Sequence, residues 1–149
     1  MRSNFLKWIC VLVFFTAIIG ISLYSQANYS RKAGDIQLLA RVIRAEAEAE
    51  PYIGQVAVGA VILNRIQSPD FPNTLAGVIY QPRAFESVSN GMINRPPTES
   101  ANKAANDALN GWDPSGGALF FFNPAKVGAK SYVWTRTIIQ QLGKHVFAI

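Results

Sequence analysis

Nine acidic residues, one histidine and one cysteine set the reactive chemistry open to this 149-residue chain. Cys10 lies in an apolar N-terminal run, so residues 11–149 contain no thiol. A disulfide framework, a thiolate zinc site and a cysteine nucleophile are thereby excluded from the body of the protein. His145 alone cannot build a multi-histidine zinc site, and no metal or other cofactor is expected. A Ser-His-Asp apparatus would also have to use His145, close to the C-terminus. Hydrolytic chemistry must lean on carboxylates, hydroxyls or amides.

Glu46 is the most informative carboxylate. Ile36, Leu39, Val42 and Ile43 recur at three- and four-residue spacing, and Glu46 takes the next place on that apolar stripe. A carboxyl group there loses water, which disfavours its charged form. A protonated carboxylic acid is what a leaving glycosidic oxygen requires. A plainer reading stands beside this one. Glu46, Glu48 and Glu50 alternate with alanines, and acidic runs commonly face water. Glu48 falls off the stripe. Glu50 abuts Pro51 and can shape the helix end instead.

The elements that would position these groups follow from periodicity and punctuation. Arg2 and Lys7 lead into residues 8–24, a run without charge, and Ser25-Gln26-Ala27 follows. This is the layout of a secretory signal, and the run is also just long enough for a short membrane anchor. Residues 1–27 are therefore expected to be a signal peptide or anchor, 28–33 a polar linker and 34–149 one catalytic domain. The domain would lie outside the cytoplasm. Asp35 is a candidate N-cap for the first helix of that domain, which Pro51 must stop. A second helix is expected over 53–66, a short one from Asn73 or Thr74 to Ile79, and a third long one over 99–110, capped by Thr98. Residues 83–89 read as extended, 118–122 and 131–135 as strands, 137–142 as a helical turn and 145–147 as a last strand. The fold class is α+β: a helix-rich single domain with a small antiparallel sheet.

Net charge is +5, but Arg2 and Lys7 precede the apolar run, leaving 12 basic against nine acidic residues. No Lys/Arg cluster marks a nucleic-acid surface. The mild excess suits an anionic polymer such as a bacterial wall.

Four segments resemble a known family: ARVIRAEAEAEPYIGQVAVGAVILNR, SPDFPNTLAGVIYQPRAFESV, ALNGWDPSGGALFFFNP and WTRTIIQQLGKHVFAI. Together they are similar to the catalytic domain of bacterial cell wall hydrolases of the spore cortex-lytic enzyme type. The resemblance covers almost everything after residue 34. It implies a lysozyme-like fold and cleavage of peptidoglycan glycan strands between N-acetylmuramic acid and N-acetylglucosamine. It also implies lytic transglycosylation, which leaves 1,6-anhydromuramic ends. It places the catalytic glutamate at Glu46, in the stretch E-x-x-x-E-P-Y. Ala45, Glu48 and Ala49 depart from the family's usual residues, and the extra acid at Glu48 bears on the local field.

The carboxylate count favours that mechanism. A two-carboxylate glycosidase needs a second acid across the bond. Past Glu50 the acids are Asp70, Glu86, Glu99, Asp107 and Asp113, and none sits on an apolar stripe. A transglycosylase needs one acid, because the sugar's own 6-hydroxyl replaces water. Gln55, one turn into the second helix, is a candidate substrate contact or a plain helix residue. The resemblance places Phe85 beside the sugar groove, whereas composition places it in the core. Phe121 alternates in direction with Phe120 and Phe122, and Asn123 ends that strand as a substrate contact or a turn residue. Tyr132 and Trp134 can stack on sugars or pack inside. Glu86 and His145 read as structural. The expected partner is peptidoglycan, with no nucleic acid, membrane contact only through the N-terminal segment, and a monomeric state. Two alternatives are an N-acetylmuramoyl-L-alanine amidase and a non-catalytic wall-binding domain.

Overall fold

The computed structural model describes the backbone of residues 2–149, and side chains from residue 16 onward except residue 31. The chain divides into two units, one ending at Gly34 and one spanning Asp35–Ile149. Helix α1 is Arg2–Ala47. Asp35 therefore lies inside a helix and caps nothing, and residues 28–33 are helical where a linker was expected. No proline interrupts that stretch, and a single glycine, Gly34, costs a helix only about 1 kcal/mol relative to alanine. Among the described residues no helix is long and apolar enough to cross a membrane. The expected signal or anchor run, 8–24, lies partly outside the described side chains.

The second unit is built around one buried helix. Helix α2 is Tyr52–Gln67, and its residues from Gly54 to Ile62 are all buried. An apolar run this continuous has no solvent side, so other elements must cover it. The end of α1 covers one side with Leu39, Val42 and Ile43, each fully buried. Helix α5, Glu99–Leu109, covers another with Ala101, Ala104, Ala105 and Ala108. Gly59 is where the three helices meet. A Cβ there would lie 2.9 Å from Ile43 Cδ1 and 3.2 Å from Ala108 Cβ.

Two caps fall where the sequence puts them. Thr74 Oγ1 accepts from Gly77 N at the start of α3, Leu75–Ile79. Thr98 Oγ1 accepts from Ala101 N at the start of α5. Pro51 is the N-cap residue of α2, so it both ends one helix and starts the next.

The sheet has three antiparallel strands: β1 (Phe120–Phe122), β2 (Ile138–Leu142) and β3 (His145–Ala148), in the order β1-β3-β2. Phe121 pairs with Phe147 and Leu142 with His145. Three local expectations fail here. Residues 138–142 form strand β2 where a helical turn was expected over 137–142, because Gly143-Lys144 closes a hairpin onto β3. Gly143 has φ 61°, the conformation a type II′ hairpin turn demands at its first position. Residues 132–135 form a 3-10 turn rather than part of the expected strand, closed by the Trp134 N–H to Ser131 carbonyl and Arg136 N–H to Val133 carbonyl bonds. Residues Glu86–Ser89 form helix α4 where an extended segment was expected, and only Phe85 before them is extended.

Candidate active site

Glu46 lies in the last full turn of α1 and is half-buried. Its Oε1 is buried and has no hydrogen-bond partner in the protein. The other acids of the run part from it. Glu48 is exposed and pairs with Arg44 at 3.3 Å, one helical turn earlier. Glu50 turns inward, its side chain only 6% exposed.

Glu50 ties the α1–α2 turn to the β2–β3 hairpin. Its Oε2 accepts the Lys144 backbone N–H at 2.8 Å. Its Oε1 lies 4.0 Å from His145 Nδ1. A Cβ on Gly143 would overlap Glu50 Oε2 and lie 2.6 Å from Pro51 Cδ, so the hairpin reaches this close only through glycine. Gln55 braces the same turn. Its amide nitrogen donates to the Glu50 carbonyl at 3.2 Å, and its oxygen accepts from Ser100 Oγ at 2.9 Å.

His145 brings the sheet to the acids. It is buried, with the edge of its ring against Phe121 at 5.3 Å between centroids. Burial pushes its imidazole below the ordinary 6.5, against the pull of Glu50 and Glu46, while Lys126 acts in the same direction as burial. His145 Nδ1, like Glu46 Oε1, is buried without a hydrogen-bond partner. Helix end, turn and hairpin thus bring Glu46, Glu50 and His145 into one electrostatic neighbourhood.

The remaining expected contacts divide by burial. Gln55 and Phe85 are 7% and 5% exposed. Both are interior residues in this structure. Phe85 packs on Phe121 at 6.3 Å and faces the Arg65 guanidinium at 5.4 Å. Phe121 is half-buried between Phe85, His145 and Phe147. Asn123 closes a turn after β1, its Oδ1 accepting from Ala125 N at 2.9 Å. Tyr132 is 62% exposed. Trp134 stacks edge-on against Phe122 at 5.0 Å. Among the described residues no group of three His, Cys, Asp or Glu is placed to hold a metal ion.

Three supporting residues were not singled out from the sequence. Arg65 is buried and donates from Nε to the Leu119 carbonyl at 2.7 Å, tying α2 to the approach to β1. Asp113 organises the loop before β1. Partial burial pushes its carboxyl up, but hydrogen bonds from Ser115, Asn64 and Gly117 outweigh that and lower it. The D-P-S-G-G stretch carried that signal, since Asp before Ser and Gly favours side-chain-to-backbone turns. Tyr52 donates its hydroxyl to Asp107 at 2.5 Å; burial and that bond push the phenol up to about 12. A cavity of about 300 Å³ lies between α2 and α5, lined by Asn64, Gln67, Leu109 and Asp113 among others. It sits roughly 18 Å along α2 from Tyr52, at 1.5 Å per residue, and does not include the acids.

A helix-rich unit with a small antiparallel sheet is shared with proteins of known class. The family described as Cell Wall Hydrolase matches residues 49–148, starting just beyond Glu46. The chain belongs to that family. It is 55% identical over 113 residues to a spore cortex-lytic enzyme of Bacillus cereus, a match covering 76% of this chain and 43% of that protein. It is 37% identical over 99 residues to the cell wall hydrolase CwlJ of Bacillus subtilis, covering 62% of this chain and 69% of that one. The crystal structure of the catalytic domain of the Bacillus cereus SleB protein superposes with a TM-score of 0.72 at 54% identity, over 77% of this chain and 89% of that one. The catalytic domain of the germination-specific lytic transglycosylase SleB from Bacillus anthracis gives 0.73 at 53% identity, over 77% and 93%. The chain spans about two fifths of the length of the spore cortex-lytic enzymes it matches.

Proposed function

We propose that this chain cleaves the glycan strand of peptidoglycan between N-acetylmuramic acid and N-acetylglucosamine by lytic transglycosylation, in spore cortex or cell wall. The supporting observation is Glu46: a half-buried carboxyl whose inner oxygen has no partner in the protein. Glu46 gives its proton to the glycosidic oxygen as the C1–O bond breaks. The resulting carboxylate then takes the proton of the same sugar's 6-hydroxyl, whose oxygen bonds to C1. One acid is regenerated and no water is consumed. Glu50 is assigned a structural part in this scheme: its Oε2 is held by the Lys144 N–H, and its Oε1 faces His145 Nδ1 at 4.0 Å. Phe121, Asn123 and Tyr132 are the proposed substrate contacts. The apolar N-terminal run serves as export signal or anchor, which puts the enzyme outside the cytoplasm.

Purified sacculi digested with wild type and Glu46→Gln test this. Mass spectrometry is expected to find anhydromuramic ends, lighter by one water than hydrolytic products. The variant should be slower by about 10²–10⁴, the usual worth of a general acid–base. Full-rate release by Glu46→Gln would remove Glu46 from the role. Free lactyl groups in place of anhydro ends would indicate an amidase.

A further inference from the structure

Charge is divided along this chain. All nine acids lie between Asp35 and Asp113, and residues 114–149 hold Lys126, Lys130, Arg136 and Lys144 with no acid. The sheet and the loop that crosses from β1 to β2 are therefore purely cationic. All four cations are exposed. Among the described residues none of the four has a carboxylate within ion-pair distance. The crossing loop is folded rather than loose. Trp134 Nε1 donates to the Gly128 carbonyl at 3.2 Å, and the Trp134 ring stands on Phe122. The Arg136 guanidinium lies 4.2 Å over the Phe120 ring and 5.8 Å from that of Tyr132. Stacking of this kind orients a guanidinium and leaves its edge free to meet a carboxylate. One end of the loop is tied to the sheet that carries His145, and Lys126 is near enough to act on the charge of that imidazole.

We propose that this loop, through Lys126, Lys130 and Arg136, binds the carboxylates of the peptide stems on the glycan strand, and so selects stem-bearing strands for cleavage. The inference rests on the reading of the chain as a glycan-cleaving enzyme. The sugar rings of such a polymer are uncharged, so its stem carboxylates are the groups that the exposed cations of this acid-free loop complement. Exposed tyrosine and tryptophan between the cations add faces for the neutral sugars.

The test uses the full chain and soluble stem-bearing strands, either native or with their carboxyl groups converted to neutral amides. Amidation should lower wild-type kcat/KM about tenfold, through KM, as three exposed charge pairs allow. The triple variant Lys126→Ala, Lys130→Ala, Arg136→Ala should lose a similar factor on native strands, and amidation should cost it nothing more. That loss should shrink as salt rises. Unchanged kinetics on amidated strands would overturn the proposal, as would losses that multiply when both changes are made. Amidation leaves the protein untouched, so the result does not depend on the variant folding. Co-sedimentation with native and amidated sacculi separates this proposal from the catalytic one. Wild type that pellets better with native sacculi but releases no anhydro ends sinks the cleavage reading and supports the loop; equal pelleting with cleavage does the reverse.

Discussion

At the scale of single residues, three acids two positions apart have three fates. Glu46 keeps an unpartnered oxygen, Glu48 stays in water, and Glu50 is locked into a turn. Glu50→Gln preserves an acceptor for Lys144 N–H, whereas Glu50→Ala orphans that donor. The alanine variant should therefore lose about 1–3 kcal/mol, the cost of an unsatisfied buried group, and the glutamine variant clearly less. Urea unfolding of the two reads this, and equal losses would show that the hydrogen bond does not matter. His145 gives a pH dependence. Burial lowers its imidazole from 6.5, so on acidification the unfolded chain takes up that proton first. Stability tied to neutral His145 is complete above 6.5 and drains away as pH falls through the lowered folded value. Glu46 and Glu50 soften the effect and Lys126 adds to it. Unfolding free energy should fall as pH drops below about 6.5, and His145→Gln should flatten that slope. A slope that survives in His145→Gln assigns it to another group. Asp113, lowered from 3.8, acts only at more acid pH, where its contribution is lost in turn.

At the scale of elements, two glycines fix how closely segments approach. Gly143 lets the β2–β3 hairpin sit on Glu50 and Pro51. Gly143→Ala adds both a clash and a left-handed φ of 61°, whereas Gly111→Ala, at φ 97°, meets nothing within 4 Å. Gly143→Ala should therefore cost more than the roughly 1–3 kcal/mol of backbone strain alone, and Gly111→Ala about that amount. It should also lower kcat, because the hairpin carries His145 to the acids. Equal melting temperatures for the two variants would show that the hairpin yields without penalty. Gly59→Ala tests the helix junction: its methyl would press on Ile43 and Ala108, at an overpacking cost of about 1–3 kcal/mol.

At the scale of the whole molecule, the acidic helical half and the cationic sheet meet at the candidate site. The helices were the legible half. Pro51, Thr74, Thr98 and the apolar stripe of 36–43 act within a few residues, so local spacing carries them. The sheet was less legible. Ile138 to Leu142 has no alternation of its own, and it becomes a strand because Gly143 turns it onto β3, which packs with every residue buried. Gln55 and Phe85 were left between groove and interior, because sequence places a residue on an element without saying which side faces water.

The sequence by itself narrowed the candidate chemistry to carboxylates, hydroxyls or amides, since thiols are absent from 11–149 and His145 stands alone. It also singled out Glu46, because an acid breaking an apolar stripe is visible at a spacing of three or four residues. Tertiary structure decided the company that acid keeps. Glu50 and Lys144 are 94 positions apart, and their bond exists only once the hairpin folds back on the α1–α2 turn. The approach of His145 to Glu50 depends on the same closure. Contacts at such separation leave no periodic trace in the chain, because they are fixed by packing around α2 rather than by neighbours in sequence.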